Sequence, residues 1–301
     1  MTVSTLHRWG VAMYKHIFLA LIALFTFVFP ATDAVAKQIL RIGMSAPLES
    51  DQGLFARRFK AIAESLSNNE IRVSLFADGA FGNDLELLDH LQEGNLAAVT
   101  VSAGNAVSAV EELGTLALPG LVETHEEAVK ATTGSIGRYW NDLCMKKGDF
   151  RILGWSYSGT RTVYAPRPLP RLPREIREFV VAAAFAEWEA GPNPTFEAHA
   201  SSAGSNDIAL YRYYSMHPFV IGGPSWRRLS PDLQAVLIHA GREAQQYVML
   251  MQALKPMSRE SALTRPVLTN QQIQEWVWPE FYDLLGGRAP ITRVLDAINW
   301  R

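Results

Sequence analysis

The stretch Gly154-Trp155-Ser156-Tyr157-Ser158 comes within one residue of G-x-S-x-G, the elbow that presents a serine nucleophile to a carbonyl. Its fifth residue is serine, and that strained turn depends on small residues on both sides of the nucleophile. His199, His217 and His239 are the candidate bases for Ser156, but none has a neighbouring acid that marks it as the partner. Three residues beyond Ser158 stands Arg161, just after Gly159-Thr160 in a strand-like segment. Presented into a cleft, its planar fork of N–H donors matches a carboxylate. On an open surface the same residue makes an ordinary salt bridge. The seven histidines are scattered, and none pairs at H-x-x-x-H spacing. The segment Gly79-Ala80-Phe81-Gly82 is too short for a phosphate-binding P-loop and lacks its lysine, and no dinucleotide fingerprint follows the first strand pattern. No metal site and no cofactor are expected.

The elements that must position these residues alternate strand and helix. Gln38–Met44 reads as a strand, 51–67 as a helix with Leu54, Phe55, Phe59, Ile62, Ala63 and Leu66 at helical spacing, and Ile71–Ala77 as a strand. Asn83 or Asp84 can cap the next helix, with Glu86 completing a capping box, Leu85, Leu88 and Leu91 forming one face and Gly94 stopping it. Leu96–Val101 is the third strand. This order predicts a mostly parallel sheet covered by helices, in which ligands bind beyond the carboxyl ends of the strands. The loops after Met44, Phe76 and Val101 share that edge. They place Gly79, Gly82, Ser102 and Gly104 there as candidate ligand-lining residues, although glycines also serve plainly as turn and cap residues. Further on, Phe150–Ala165 reads as strand, bend and strand, and His125 as part of a solvated helix start. Pro166, Pro168, Pro170 and Pro173 mark an extended connector between lobes. Ser230 caps a long helix with Pro231 at its first position.

Composition sets the setting. Lys15 and His16 precede a 13-residue run, Ile17 to Phe29, that is apolar except for Thr26, and Ala34-Val35-Ala36 follows. This is the pattern of an export signal cleaved after Ala36, with Met1 or Met13 as its start. Removing residues 1–36 leaves 26 basic and 29 acidic residues, a formal charge of −3, which argues against a nucleic-acid partner. Cys144 is the one cysteine, so no intramolecular disulfide forms, and an exported chain of this kind suits a bacterial periplasm.

In order along the chain, the turn and helix with Gly79, Phe81, Gly82, Asp84 and Glu86, then Gly94 and Leu96, then Leu118, Pro119, Leu121, Glu126 and Ala128, then Gly159-Thr160-Arg161 and Gly191-Pro-Asn-Pro-Thr195 resemble the solute-binding proteins of TRAP transporters, the tripartite ATP-independent periplasmic carriers. The resemblance spans most of residues 39–255. It implies a two-lobed α/β periplasmic binding protein fold that closes by hinge motion around a small organic anion, without catalytic residues, and hands the anion to TRAP membrane permease subunits. It implies that Arg161 contacts the ligand. It divides the chain into a signal peptide (1–36), lobe I (37–157 with about 215–250) and a shortened lobe II (158–214 with about 251–301).

Two departures stand out. The family's second ligand-clamping arginine falls here on Val181 or Ala182, neither of which binds an anion, and roughly 20–25 residues of the family's pattern are missing after Thr195. Three readings follow: a carboxylate-binding solute receptor, a relative that has lost or changed its ligand and acts as an interaction or sensor module, and a periplasmic hydrolase using Ser156.

Overall fold

The computed structural model describes residues 37–166, 174, 175, 178, 207–255 and 267–299. The export signal, Pro168, Pro170 and Pro173 of the connector, Val181, Ala182 and residues 196–206 lie outside these residues. The elements run β1 (Gln38–Met44), α1 (Asp51–Leu66), β2 (Ile71–Phe76), α2 (Asp84–Glu93), β3 (Ala98–Thr100), two 3-10 turns (Asn105–Ser108 and Glu111–Ala117), α3 (His125–Thr132) and α4 (Gly134–Lys147). They continue with β4 (Phe150–Pro166), β5 (Asp207–Gly222), α5 (Gly223–Arg227), α6 (Pro231–Leu254), α7 (Asn270–Trp276), α8 (Trp278–Phe281) and α9 (Ala289–Asn299). One sheet has the order β2-β1-β3-β5-β4. β1 pairs in parallel with β2 and β3, whereas β5 runs antiparallel to both β3 and β4. Four strands therefore share one direction, as the alternating pattern predicts.

The helix caps follow the expected chemistry. Asn83 closes a full capping box with Glu86 on α2, and Gly94 ends that helix at φ 78°. Ser230 accepts from Leu233 N at the start of α6. Three expectations are corrected. Leu85 is 47 % exposed, and the buried stripe of α2 is Asp84, Leu87, Leu88 and Leu91. That stripe is the i, i+3, i+4, i+7 face, and a carboxylate, not a leucine, begins it. Phe150–Pro166 is one continuous strand, because the bend expected near Gly159 is absorbed by bulges at 152/154 and 157/159. His125 is not simply solvated: its Nδ1 lies 2.8 Å from Tyr214 Oη and its ring meets the edge of Tyr157.

The core lies between the sheet and helices α1 and α6. Phe55 and Phe59 of α1 pack as tilted rings against Phe219 of β5, with centroids 4.9 and 4.7 Å away. Glycine is required where α6 crosses β4, since a Cβ on Gly154 would sit 2.8 Å from the Phe55 ring and 2.9 Å from Gly241 O. Cys144 is buried, and burial pushes its thiol pKa far up; it behaves as a small apolar side chain. Among the described residues no helix is long and apolar enough to cross a membrane.

Candidate functional site

The loops at the carboxyl ends of β1, β2 and β3 are tied into one edge. Asp78 N donates to Ala46 O at 3.2 Å and Gly79 N to Met44 O at 3.4 Å, joining the loops after β1 and β2. Gly79 and Gly82 take φ of 67° and 92°, a region open chiefly to glycine. Gly104 differs: its φ is −64°, and its lack of a side chain matters only for a close approach to Ala117.

Asp84, which sequence reasoning treated as a capping alternative, organises this edge. It is 1 % exposed. Its carboxylate accepts from Ser45 Oγ at 2.7 Å, Ser102 N at 2.6 Å and Asn105 Nδ2 at 3.0 Å. Burial raises its pKa, and these hydrogen bonds pull it back toward the charged form. One side chain thus fixes the loops after β1 and β3, including the predicted Ser102. The signal was in the spacing: Asp84 stands four positions before Leu88 and seven before Leu91.

A second polar cluster sits on the long β4–β5 ladder. His217 is buried, and its Cα partner across the ladder is Ser156. Gln52 Nε2, from the first turn of α1, lies 3.0 Å from His217 Nδ1; Ser158 Oγ and Ser215 Oγ lie 3.0 and 3.1 Å from Nε2. With an amide nitrogen facing it, Nδ1 accepts, which puts the one ring proton on Nε2, shared between the two serine oxygens. Burial, aided by the positive charge of Arg161, lowers the His217 pKa to about 3. Ser156 makes no hydrogen bond to His217 among the described residues, and a histidine held neutral by burial is a poor base, so the two do not form a nucleophile–base pair. Ser156 Oγ is buried without a hydrogen-bond partner among the described residues, and so is Gln52 Oε1. Both serines lie mid-strand, not at a strand end. Arg161 is half-buried on β4, three positions beyond Ser158 and across the ladder from Tyr213. The loop after β3 reaches this ladder too, through Ala103 N donating to Met216 O at 3.0 Å. Gly79, Gly82, Ser102 and Gly104 lie on the loops of the strand-end edge, while Arg161 stands on β4 near enough to His217 for its charge to act on the ring. Among the described residues no group of three or more His, Cys, Asp or Glu could hold a metal ion.

Comparison with known proteins agrees with this architecture. Residues 42–173 match the family described as bacterial extracellular solute-binding protein, family 7. The 2,3-diketo-L-gulonate-binding periplasmic protein of Escherichia coli K12 is 21 % identical over 249 residues, covering 72 % of this chain and 76 % of that protein. The C4-dicarboxylate-binding protein of Bacillus subtilis 168 is 21 % identical over 288 residues, 81 % and 82 % of the two chains. A TRAP periplasmic solute-binding protein from Rhodobacter sphaeroides superposes with TM-score 0.66 at 20 % identity, covering 86 % of this chain and 98 % of that one. One from Pseudomonas putida F1, with bound D-glucuronate, gives 0.68 at 18 %, covering 88 % and 98 %. The fold is thus that of the TRAP periplasmic solute-binding proteins, and residues 42–173 carry the match to the extracellular solute-binding family.

Proposed function

We propose that this protein is exported to the periplasm after cleavage behind Ala36, binds a small hydroxylated organic acid between its lobes, and passes it to TRAP permease subunits. The observation that carries the proposal is the pairing of one fixed cation, Arg161, with a cluster of neutral hydrogen-bonding groups at His217, Ser158, Ser215 and Gln52. An acid with hydroxyl groups needs both: a guanidinium for its carboxylate, and donors and acceptors for its hydroxyls. The orphan acceptor Gln52 Oε1 suits a ligand hydroxyl, because a buried acceptor without a partner costs about 1–3 kcal/mol. Ser102, Gly79, Gly82 and Gly104 line the lobe I side in this reading. Relatives with D-erythronate, galactonate and D-glucuronate bound support the ligand class.

The division into lobe I (37–157 with about 215–250) and a shortened lobe II (158–214 with about 251–301) belongs to the same proposal. So does the absence of a second clamping arginine at Val181 or Ala182. Losing one charge-assisted contact of about 1.5–3 kcal/mol weakens a complex by roughly 10- to 150-fold, so binding is weak compared with a two-arginine site. That absence also favours a second reading, a relative whose ligand has been lost or changed. Mass spectrometry of small molecules released from the purified protein separates the two: a hydroxy acid supports the first, and its absence, with no thermal shift from any acid in a panel, supports the second. Ala182→Arg is expected to tighten binding of the same acid.

A further inference from the structure

A groove of about 450 Å³ lies between the end of α3, the start of α4, the first residues of β4 and the middle of α6, and none of the histidine cluster's residues line it. Its size lies in the range of small-molecule sites. Three arginines line it, Arg138 of α4, Arg151 of β4 and Arg242 of α6, and its lining contains no aspartate or glutamate. Three like charges around one concavity repel one another and concentrate anions there. Neither Arg138 nor Arg242 is held in an ion pair among the described residues. Arg151 lies with its guanidinium 4.8 Å from the centre of the Trp226 ring, and its buried Nε has no hydrogen-bond partner there.

The floor adds neutral donors. α4 begins at Gly134 in this groove, and Thr133 at its cap turns its hydroxyl to Val129 O at 2.7 Å, so it leaves the first N–H groups of the helix uncapped. Those groups form the positive end of a 14-residue helix. Gly134 is exposed, with open space where a Cβ would project, so the backbone there is accessible to a ligand.

We propose that this groove is a second anion site, separate from the carboxylate site, and that it takes a small phosphate-bearing molecule. Several guanidiniums and a helix N-terminus approach from different elements, which suits a multiply charged tetrahedral group better than a planar monocarboxylate. The groove exceeds the needs of phosphate alone, leaving room for an organic portion beside Ile238 and Met249.

The test uses inorganic phosphate as the probe. Thermal unfolding of the purified protein is followed against phosphate concentration at constant ionic strength, with chloride as the balancing salt. Arg138→Gln/Arg242→Gln and Arg161→Ala are run beside the wild type. Both groove arginines are exposed, so the double variant keeps the fold, which circular dichroism verifies. The expected result is a phosphate-specific rise in Tm for the wild type and for Arg161→Ala, with at least a tenfold weaker apparent Kd in the double variant. No rise in the wild type, a rise equal in the double variant, or one lost in Arg161→Ala would overturn the proposal.

Discussion

Replacing Asp84 with alanine should destabilise the protein while leaving its secondary structure intact. Two of the three groups bonded to this carboxylate are buried or nearly so, the Ser102 amide and the Asn105 side chain, at 2.6 and 3.0 Å. Ser45 Oγ, at 2.7 Å, is half-buried and can turn to water. Each orphaned buried donor costs about 1–3 kcal/mol, so the loss from the two is about 2–6 kcal/mol. Relief from burying a carboxylate, whose pKa is already raised, works against that loss and places the expected net near the lower end, about 2–3 kcal/mol. Asp84→Asn keeps the shape but turns an amide N–H toward one of these donors, so it should fall between wild type and alanine. Urea unfolding at pH 7, monitored by tryptophan fluorescence and circular dichroism together, measures the difference as a shift in midpoint at unchanged slope. A loss below about 0.5 kcal/mol for Asp84→Ala, the range of ordinary surface substitutions, would show that the three bonds do not hold the loops.

His217 carries a pH signature with a definite sign. Its folded pKa is lowered to about 3 from 6.5, so between those values the unfolded chain binds the extra proton. Stability is therefore undiminished above pH 6.5 and falls by up to about 1.4 kcal/mol per pH unit as pH drops below it. Asp84 works the other way in acid, since its pKa is raised; the difference between wild type and His217→Gln isolates the histidine, and equal slopes for the two would contradict its neutral burial. Gly94→Ala should cost about 1 kcal/mol, because φ is 78° but the nearest atom to a new Cβ is 3.8 Å away. Gly241→Ala should cost several times more, because its Cβ would run into the Leu153 carbonyl under α6; thermal unfolding of both variants in the reverse order would refute that packing.

How much could be read in advance varied with the reach of the interaction. Local chemistry was legible: Asn83, Gly94, Ser230 and Pro231 announce helix ends through bonds that span three or four residues. The parallel part of the sheet, β2-β1-β3, was legible because apolar runs alternated with helical spacing. The single long strand through Gly159 was not, since a glycine at φ 89° looks the same in a turn and in a bulge, and only the partner strand 50 or more residues away decides between them. His217 was named only as one of three candidate bases, and its partners stayed hidden for the same reason. Its partners Gln52, Ser158 and Ser215 are drawn from three elements, and no spacing links Gln52 to position 217. Arg161 was singled out by its place just after Gly159-Thr160 in a strand-like segment, and again by the family resemblance.

The central claim is that an organic acid binds here through Arg161. Isothermal titration of the wild type and Arg161→Ala with glucuronate, galactonate, erythronate and simple mono- and dicarboxylates tests it most directly. The account predicts weak saturable binding of at least one hydroxy acid by the wild type, and none by Arg161→Ala. Submicromolar binding that survives Arg161→Ala, or no binding of any acid by the wild type, would contradict it.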